Sequence, residues 1–439
     1  MTQVQLDRIA RLEPRLHAFA LVTADMALGQ ARAADAEIAR GIHRGPLHGV
    51  PVAVKDLCAV AGTPTGAGMA PALRRIAAAD ATLVRRLKQA GAVLIGKTEL
   101  SEGAYSDHHA AITPPRNPWN ADYWTGISSS GSGVATAAGL CHGAIASDTG
   151  GSIRWPAAAN GVTGLKPSWG RVSRHGVAEL APSLDHVGTM ARSAKDAGAL
   201  LGVIAGGDDR DPTALQDPVP DYLKSADEGV RRLRIGFDED WNTRDVSDDT
   251  VAMLAHAIEV FAALGAELVP ARLPDVTQAI ADWTPNCAIE AAVAHEATYV
   301  RHKDQYGAIL SGVIETGRAL SATDYQKILL RRMEFRGRVN ALFGTMDLLL
   351  TPVQPFAALP LADISSLGAQ PELIVKLQRY TCPFDMTGHP TITLPGGFTA
   401  LGLPLGFQLI APHLEEASLV RAGAAFQSAT SWHQQHPFA

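Results

Sequence analysis

The chain has 439 residues, 46% hydrophobic and 19% charged, with a formal net charge of -6. That composition supplies a large core and excludes the disordered and fibrous classes. A mildly acidic balance without runs of like charge offers no field for nucleic acid or an anionic membrane, so the expected partners are a small-molecule substrate and a second copy in a homodimer. The first twenty residues carry charges throughout, and no stretch approaches the roughly 18 apolar residues of a membrane span, so a cytoplasmic chain is expected. Cys58, Cys141, Cys287 and Cys382 are scattered with no C-x-x-C pair. A disulfide framework or thiolate zinc site is not indicated, and neither a metal nor a cofactor is expected.

In chain order, ADMALGQARAADAEIAR (24–40) has the pattern of a helix, VPVAVKD (50–56) of a strand, and DATLVRRLKQAGAVLIGKT (80–98) of helix, turn and strand. The block GISSSGSG (126–133) follows, then an Ala-rich helix from about Gly133 and the strand GAIASD (143–148). LRIGF (233–237), AELVP (266–270), DLLLTP (347–352), TITLP (391–395) and LGFQLI (405–410) read as further strands. Ser321 and Asp324 predict a capped helix running to Leu342, and another helix follows Glu415. The polar stretch 206–221 reads as a surface loop. Strands alternating with helices predict an α/β fold, a central mixed and mostly parallel twisted sheet with helices on both faces.

Two motif matches carry little. GAVLIGKT (91–98) satisfies the phosphate-loop expression, yet its middle residues Ala-Val-Leu-Ile favour a buried strand over a loop exposing amides. His108 and His109 are adjacent, a spacing that aims two side chains apart, and read as loop residues. No G-x-S-x-G elbow occurs, which removes the main support for an α/β-hydrolase triad.

SDTGGSIRWP (147–156) has a different character, with two glycines directly before a serine at the end of a strand. Backbone N–H groups can converge there and stabilise an oxyanion while Ser152 attacks a carbonyl. The segment also reads as a glycine turn with a capping serine. A serine needs a base, and Lys55 ends the apolar run Val50 to Val54, where burial would strip water from its ammonium. Taken alone, Lys55 reads more readily as a lysine paired with Asp56 or another acid at a strand end. If it does shuttle a proton to Ser152, the serines of GISSSGSG are suited to relay it.

Together these segments resemble the amidase signature family of serine hydrolases. The resemblance runs from GPLHGVPVAVKD (45–56) through GISSSGSG, SDTGGSIRWPAAANGVTGLKP (147–167) and PSLDHVGTMARSAKDA (182–197) to CPFDMTGHPTITLPGG (382–397) and GLPLGFQLIA (402–411). It implies a single domain, with a helical lead over 1–44, a catalytic core over 45–205, and further sheet, helices and pocket loops over 206–439. It implies Ser152 as acyl-enzyme nucleophile, Ser128 as the relay serine preceded by a cis peptide bond, and Lys55 as base. Thr149, Gly150, Gly151 and Ser152 would furnish the oxyanion amides. Ser129 would hydrogen-bond within the network, Asp148 and Arg154 would brace the loop, and Ala104 would line the acyl pocket.

Two departures stand out. Ile127 occupies a position where the family usually has a second glycine, and a side chain there narrows the mouth toward smaller or flatter acyl groups. The amino terminus begins inside what is usually a longer helical lead. Three readings follow: a hydrolase of small amides, the glutaminase component of a tRNA-dependent amidotransferase, and a catalytically silent binding protein on the same fold.

Overall fold

The structure, a computed structural model, describes residues 1–438. Eleven strands form one sheet: β1 (Phe19–Val22), β2 (Pro51–Lys55), β3 (Val93–Thr98), β4 (Gly143–Asp148), β5 (Thr163–Lys166), β6 (His186–Ala191), β7 (Arg234–Phe237), β8 (Glu267–Pro270), β9 (Leu348–Pro352), β10 (Thr391–Phe398) and β11 (Pro404–Ile410). Their spatial order is β1-β3-β2-β4-β6-β5-β10-β11-β9-β7-β8. The expected mixed sheet flanked by helices is present. Parallel pairs form two blocks, β3-β2-β4 and β9-β7-β8, and antiparallel pairs link them through the middle. That antiparallel stretch exceeds what strand and helix alternation implies. It arises because β10 and β11 are joined as a hairpin and because β5 and β6, which the sequence pattern did not predict, run antiparallel to each of their neighbours.

The parallel block nearest the amino terminus positions the chemistry. Every residue of β2, β3 and β4 is buried, and strands covered on both faces need continuous apolar runs rather than alternation. GAVLIGKT is accordingly a turn followed by buried strand β3. Strands β2 and β4 pair Val52 with Gly143 and Val54 with Ile145, which brings Lys55 level with the end of β4. Both segments leave the sheet at the carboxyl end of parallel strands, the usual location for ligand chemistry in open α/β sheets.

Two short helices start beside these strand ends, α1 (Ser130–Ala137) and α2 (Arg154–Asn160). The first begins at Ser130, three residues ahead of the expected Gly133. The strand expected over 391–395 extends to Phe398. Ser321 caps the helix Ala322–Leu342 by accepting from the Asp324 N–H, as the pattern predicts. Residues 206–221 form no helix or strand. Among the described residues no helix is long and apolar enough to cross a membrane.

Candidate active site

Lys55 is the last residue of β2 and has no exposed surface. Its Nζ lies 2.7 Å from Ser128 Oγ, 2.8 Å from Ser129 Oγ and 2.8 Å from Ser147 Oγ. Ser129 Oγ in turn donates to the Ser147 carbonyl at 3.0 Å. Burial drives the ammonium of Lys55 down from 10.5 to about 7, against the opposing pull of nearby acidic groups including Asp148 and Asp185. A pairing of Lys55 with Asp56 is not what forms: Asp56 pairs with Lys97 at 2.6 Å.

The peptide bond between Ile127 and Ser128 is cis. The Ser128 carbonyl accepts from the Ser101 N–H at 3.3 Å, and the Ser129 N–H donates to the Ser152 carbonyl at 3.3 Å. The loops carrying Ser128 and Ser152 are thereby tied together through main chain. The Ser128 and Ser152 hydroxyls share no hydrogen bond, and the Ser152 hydroxyl is free of partners among the described residues. Ser152 keeps 6% of its surface, which faces a cavity.

The glycines before Ser152 are required by close contact. A Cβ on Gly150 would sit 2.5 Å from the Trp283 ring. Gly151 has φ +139°, and a Cβ there would meet the Trp155 ring at 2.6 Å. The Gly151 N–H is committed to Asp148 Oδ1 at 2.6 Å, whereas the N–H groups of Thr149, Gly150 and Ser152 find no acceptor among the described residues. Of the four amides expected to face an oxyanion, three are therefore free.

Asp148 and Arg154 brace this loop. Arg154 donates to Asp148 through Nε at 3.0 Å and a second nitrogen at 2.9 Å, while Asp148 also accepts the Ile153 N–H at 2.9 Å. Arg154 extends to Asp385 at 2.6 Å and to the Thr381 carbonyl at 2.9 Å, so the C-terminal half of the chain holds the same loop. Burial works to raise the Asp148 carboxyl, but the Arg154 guanidinium outweighs it and holds the group well below the usual carboxylate range. Asp385 is pushed the other way, chiefly by burial, which the Arg154 guanidinium opposes without outweighing and to which the Asp148 charge adds. Asp148→Asn is expected to destabilise the protein by about 1–3 kcal/mol, because it removes one of the two carboxyl partners of a wholly buried guanidinium and leaves Asp385 to balance the charge alone. Urea unfolding of parent and variant measures this.

The cavity has a volume of about 600 Å³, and Ile127, Ala104, Thr149, Gly150 and Ser152 all line it. Gly151, Ser128, Ser129 and Lys55 are not part of its wall. Most of the remaining lining is apolar or aromatic, with Tyr105, Trp124, Trp155 and Trp283 contributing rings. Trp283, on the helix Thr277–Ala294, donates its Nε1–H to the Thr149 carbonyl at 2.8 Å and lies nearly parallel to Tyr105 at 6.4 Å. Sequence reasoning missed Trp283 and Thr381, which carry no local signal, and did not single out Asp385 although it lies within the segment CPFDMTGHPTITLPGG. It also missed Ser147 as the third hydroxyl on Lys55, although Ser147 opens the SDTGGS segment. Among the described residues no group of three or more His, Cys, Asp or Glu side chains is placed to hold a metal ion.

Comparison with known proteins gives the family. The Amidase family model matches residues 1–420. The chain is 48% identical over 439 residues to the protein named "Putative amidase AmiD" of Mycobacterium tuberculosis, covering 100% of this chain and 92% of that one. It is 36% identical over 463 aligned residues to a glutamyl-tRNA(Gln) amidotransferase subunit of Thermosynechococcus vestitus, covering 100% and 95%. The solved structure of native peptide amidase from Stenotrophomonas maltophilia superposes with a TM-score of 0.86 at 32% identity, over 98% of this chain and 93% of that one. With the family model matching nearly its whole length, its mixed sheet and its serine–lysine cluster, the chain belongs to the amidase family of amide hydrolases.

Proposed function

We propose that this enzyme cleaves the C–N bond of small amides bearing apolar acyl groups, through an acyl-enzyme on Ser152. The observation that carries the reading is Lys55, wholly buried, brought to about 7 and surrounded by three serine hydroxyls beside the cavity. A neutral amine has two N–H groups and one lone pair. Ser129 spends its own proton on the Ser147 carbonyl and so accepts from the amine, as Ser147 does, leaving the lone pair for the Ser128 hydroxyl. Ser128 passes its proton to Lys55 as it takes the proton of Ser152, whose oxygen attacks the amide carbonyl. The free amides of Thr149, Gly150 and Ser152 receive the developing oxyanion.

The same path run backwards protonates the leaving nitrogen, the C–N bond breaks, and water then releases the acid. The hop between Ser128 and Ser152 closes on substrate binding, since catalytic hydrogen bonds in unliganded sites are commonly long and tighten in the complex. The acyl preference follows from the wall, which is large enough for a compact organic group and mainly apolar. Hydrolysis rates across aliphatic, aryl and peptide amides test the reading; turnover confined to short polar amides would defeat it.

Kinship with the amidotransferase protein favours a second reading, glutaminase activity. Glutamine carries a carboxylate, and no lysine or arginine lines the cavity among the described residues. Ammonia release from glutamine should therefore be far slower than from an apolar amide of equal length.

Ile127 narrows the same space, packing with Trp124 and Trp155 in the cavity wall. Ile127→Gly is expected to raise kcat/KM for bulky acyl groups by about tenfold relative to small ones, in line with about 1–3 kcal/mol for pocket-shape discrimination. An unchanged ratio of bulky to small amides would remove Ile127 from the specificity argument.

A further inference from the structure

Several polar side chains of the cavity wall make no hydrogen bond among the described residues, and one of them carries an amide. Gln378, the last residue of the helix Pro371–Gln378, keeps only 7% of its surface and lines the same cavity as Ser152. Its main-chain carbonyl accepts the Thr381 N–H at 3.2 Å, but its side-chain amide makes no hydrogen bond among the described residues. Some of the hydroxyls around it are engaged, though that of Thr284 is not. Thr149 donates to Asp185 at 2.6 Å, Thr316 to the Gly312 carbonyl at 2.8 Å, and Ser365 to the Ala362 carbonyl at 2.7 Å. Its amide oxygen and nitrogen keep some accessible surface, so the side chain offers both a donor and an acceptor to an occupant of the cavity.

The place of Gln378 in the wall indicates which part of a substrate would meet it. With Thr284 and Ile374 it borders both this cavity and an outer groove whose rim includes Arg244, Arg272 and Arg379. A substrate acylating Ser152 and filling the apolar space would pass Gln378 where its chain turns toward solvent. The side chain is uncharged, so it matches a neutral group, and its paired C=O and NH₂ match the N–H and C=O of a secondary amide.

We propose that Gln378 determines specificity by hydrogen-bonding a second, uncharged amide within the acyl portion of the substrate, so that preferred substrates are peptide-like diamides. This rests on the amide-hydrolase reading above and names its substrate class. Such a contact discriminates strongly, because an alkyl chain in its place would cover the glutamine amide without pairing it.

The test uses a series of primary amides in which a secondary amide is moved along an alkyl chain of constant length, with the plain alkyl amide as reference. For the parent enzyme, one member should exceed the alkyl reference in kcat/KM by about 10- to 100-fold. Gln378→Leu should reduce that preference to threefold or less (~0.6 kcal/mol by the tenfold-per-1.4 kcal/mol relation) while still hydrolysing the alkyl amide. Gln378→Met carries the same comparison if the leucine variant fails to fold. A preference that survives in both variants, or a parent that prefers no member, overturns the assignment. Failure to hydrolyse even the alkyl amide would instead overturn the amide-hydrolase reading, and the two failures are distinguished by that reference.

Discussion

Ser152→Ala is expected to lower kcat by at least about four orders of magnitude, with fold and substrate affinity nearly unchanged. The argument for a clean loss is local. The Ser152 hydroxyl has no partner among the described residues, so its removal orphans nothing, and its main-chain carbonyl still accepts from Ser129 at 3.3 Å. The N–H groups of Thr149, Gly150 and the substituted residue remain in place to polarise a bound carbonyl, which accounts for the small residual rate over water. Single-turnover measurements and binding of an unreactive ketone analogue separate the two effects. An activated serine reagent should label the parent at Ser152 and fail with the variant. A parent that resists the reagent would favour the silent-binding reading, and a variant retaining more than about a hundredth of the activity would remove Ser152 as nucleophile.

The site was legible in the sequence where chemistry forces composition. Lys55 announced itself because an ionisable residue ended a run that had to be buried on both faces of a sheet, and the glycines before Ser152 did so because the rings of Trp283 and Trp155 leave no room for a Cβ. The start of helix α1 was less legible. Glycines at 131 and 133 disfavour a helix by propensity, yet a Cβ on Gly131 would meet the Ala18 carbonyl at 2.3 Å, and one on Gly133 would meet Asn160 Nδ2 at 2.7 Å. Packing from other segments thus selects glycine there and overrides the local preference. What the sequence could not display was convergence over distance. Trp283, Gln378 and Asp385 reach the site from more than a hundred residues away, and a tryptophan, a glutamine or an aspartate on a helix looks the same whether it faces a cavity or solvent. The antiparallel middle of the sheet was hidden for a similar reason, since Thr163–Lys166 is too short to show a period and His186–Ala191 follows a turn-rich stretch.

Lys55→Met should act on rate and stability in opposite directions. Methionine fills nearly the same space but cannot accept a proton, so kcat should fall about a thousandfold or more, the usual order for losing a general base that also anchors the relay. In the parent, kcat/KM should rise with pH through about 7, as Lys55 loses the proton that blocks its lone pair. Stability follows from the same displacement. Folded Lys55 releases its proton near 7 and the unfolded side chain near 10.5. Between those values the unfolded chain binds the extra proton, so parent stability climbs with pH across that window, and below about 7 the cost of burying the charge is fully present. That cost is on the order of 5 kcal/mol, offset in part by three serine hydrogen bonds worth about 1 kcal/mol each. At pH 6 the methionine variant should therefore be more stable than the parent by about 1–2 kcal/mol, and its stability should lack the climb at alkaline pH. Urea unfolding at pH 6 and pH 9, beside pH–rate profiles, measures both. A parent whose kcat/KM is flat through neutrality, or a methionine variant with a tenth of the parent rate, would mean that the proton of Ser152 leaves by another route.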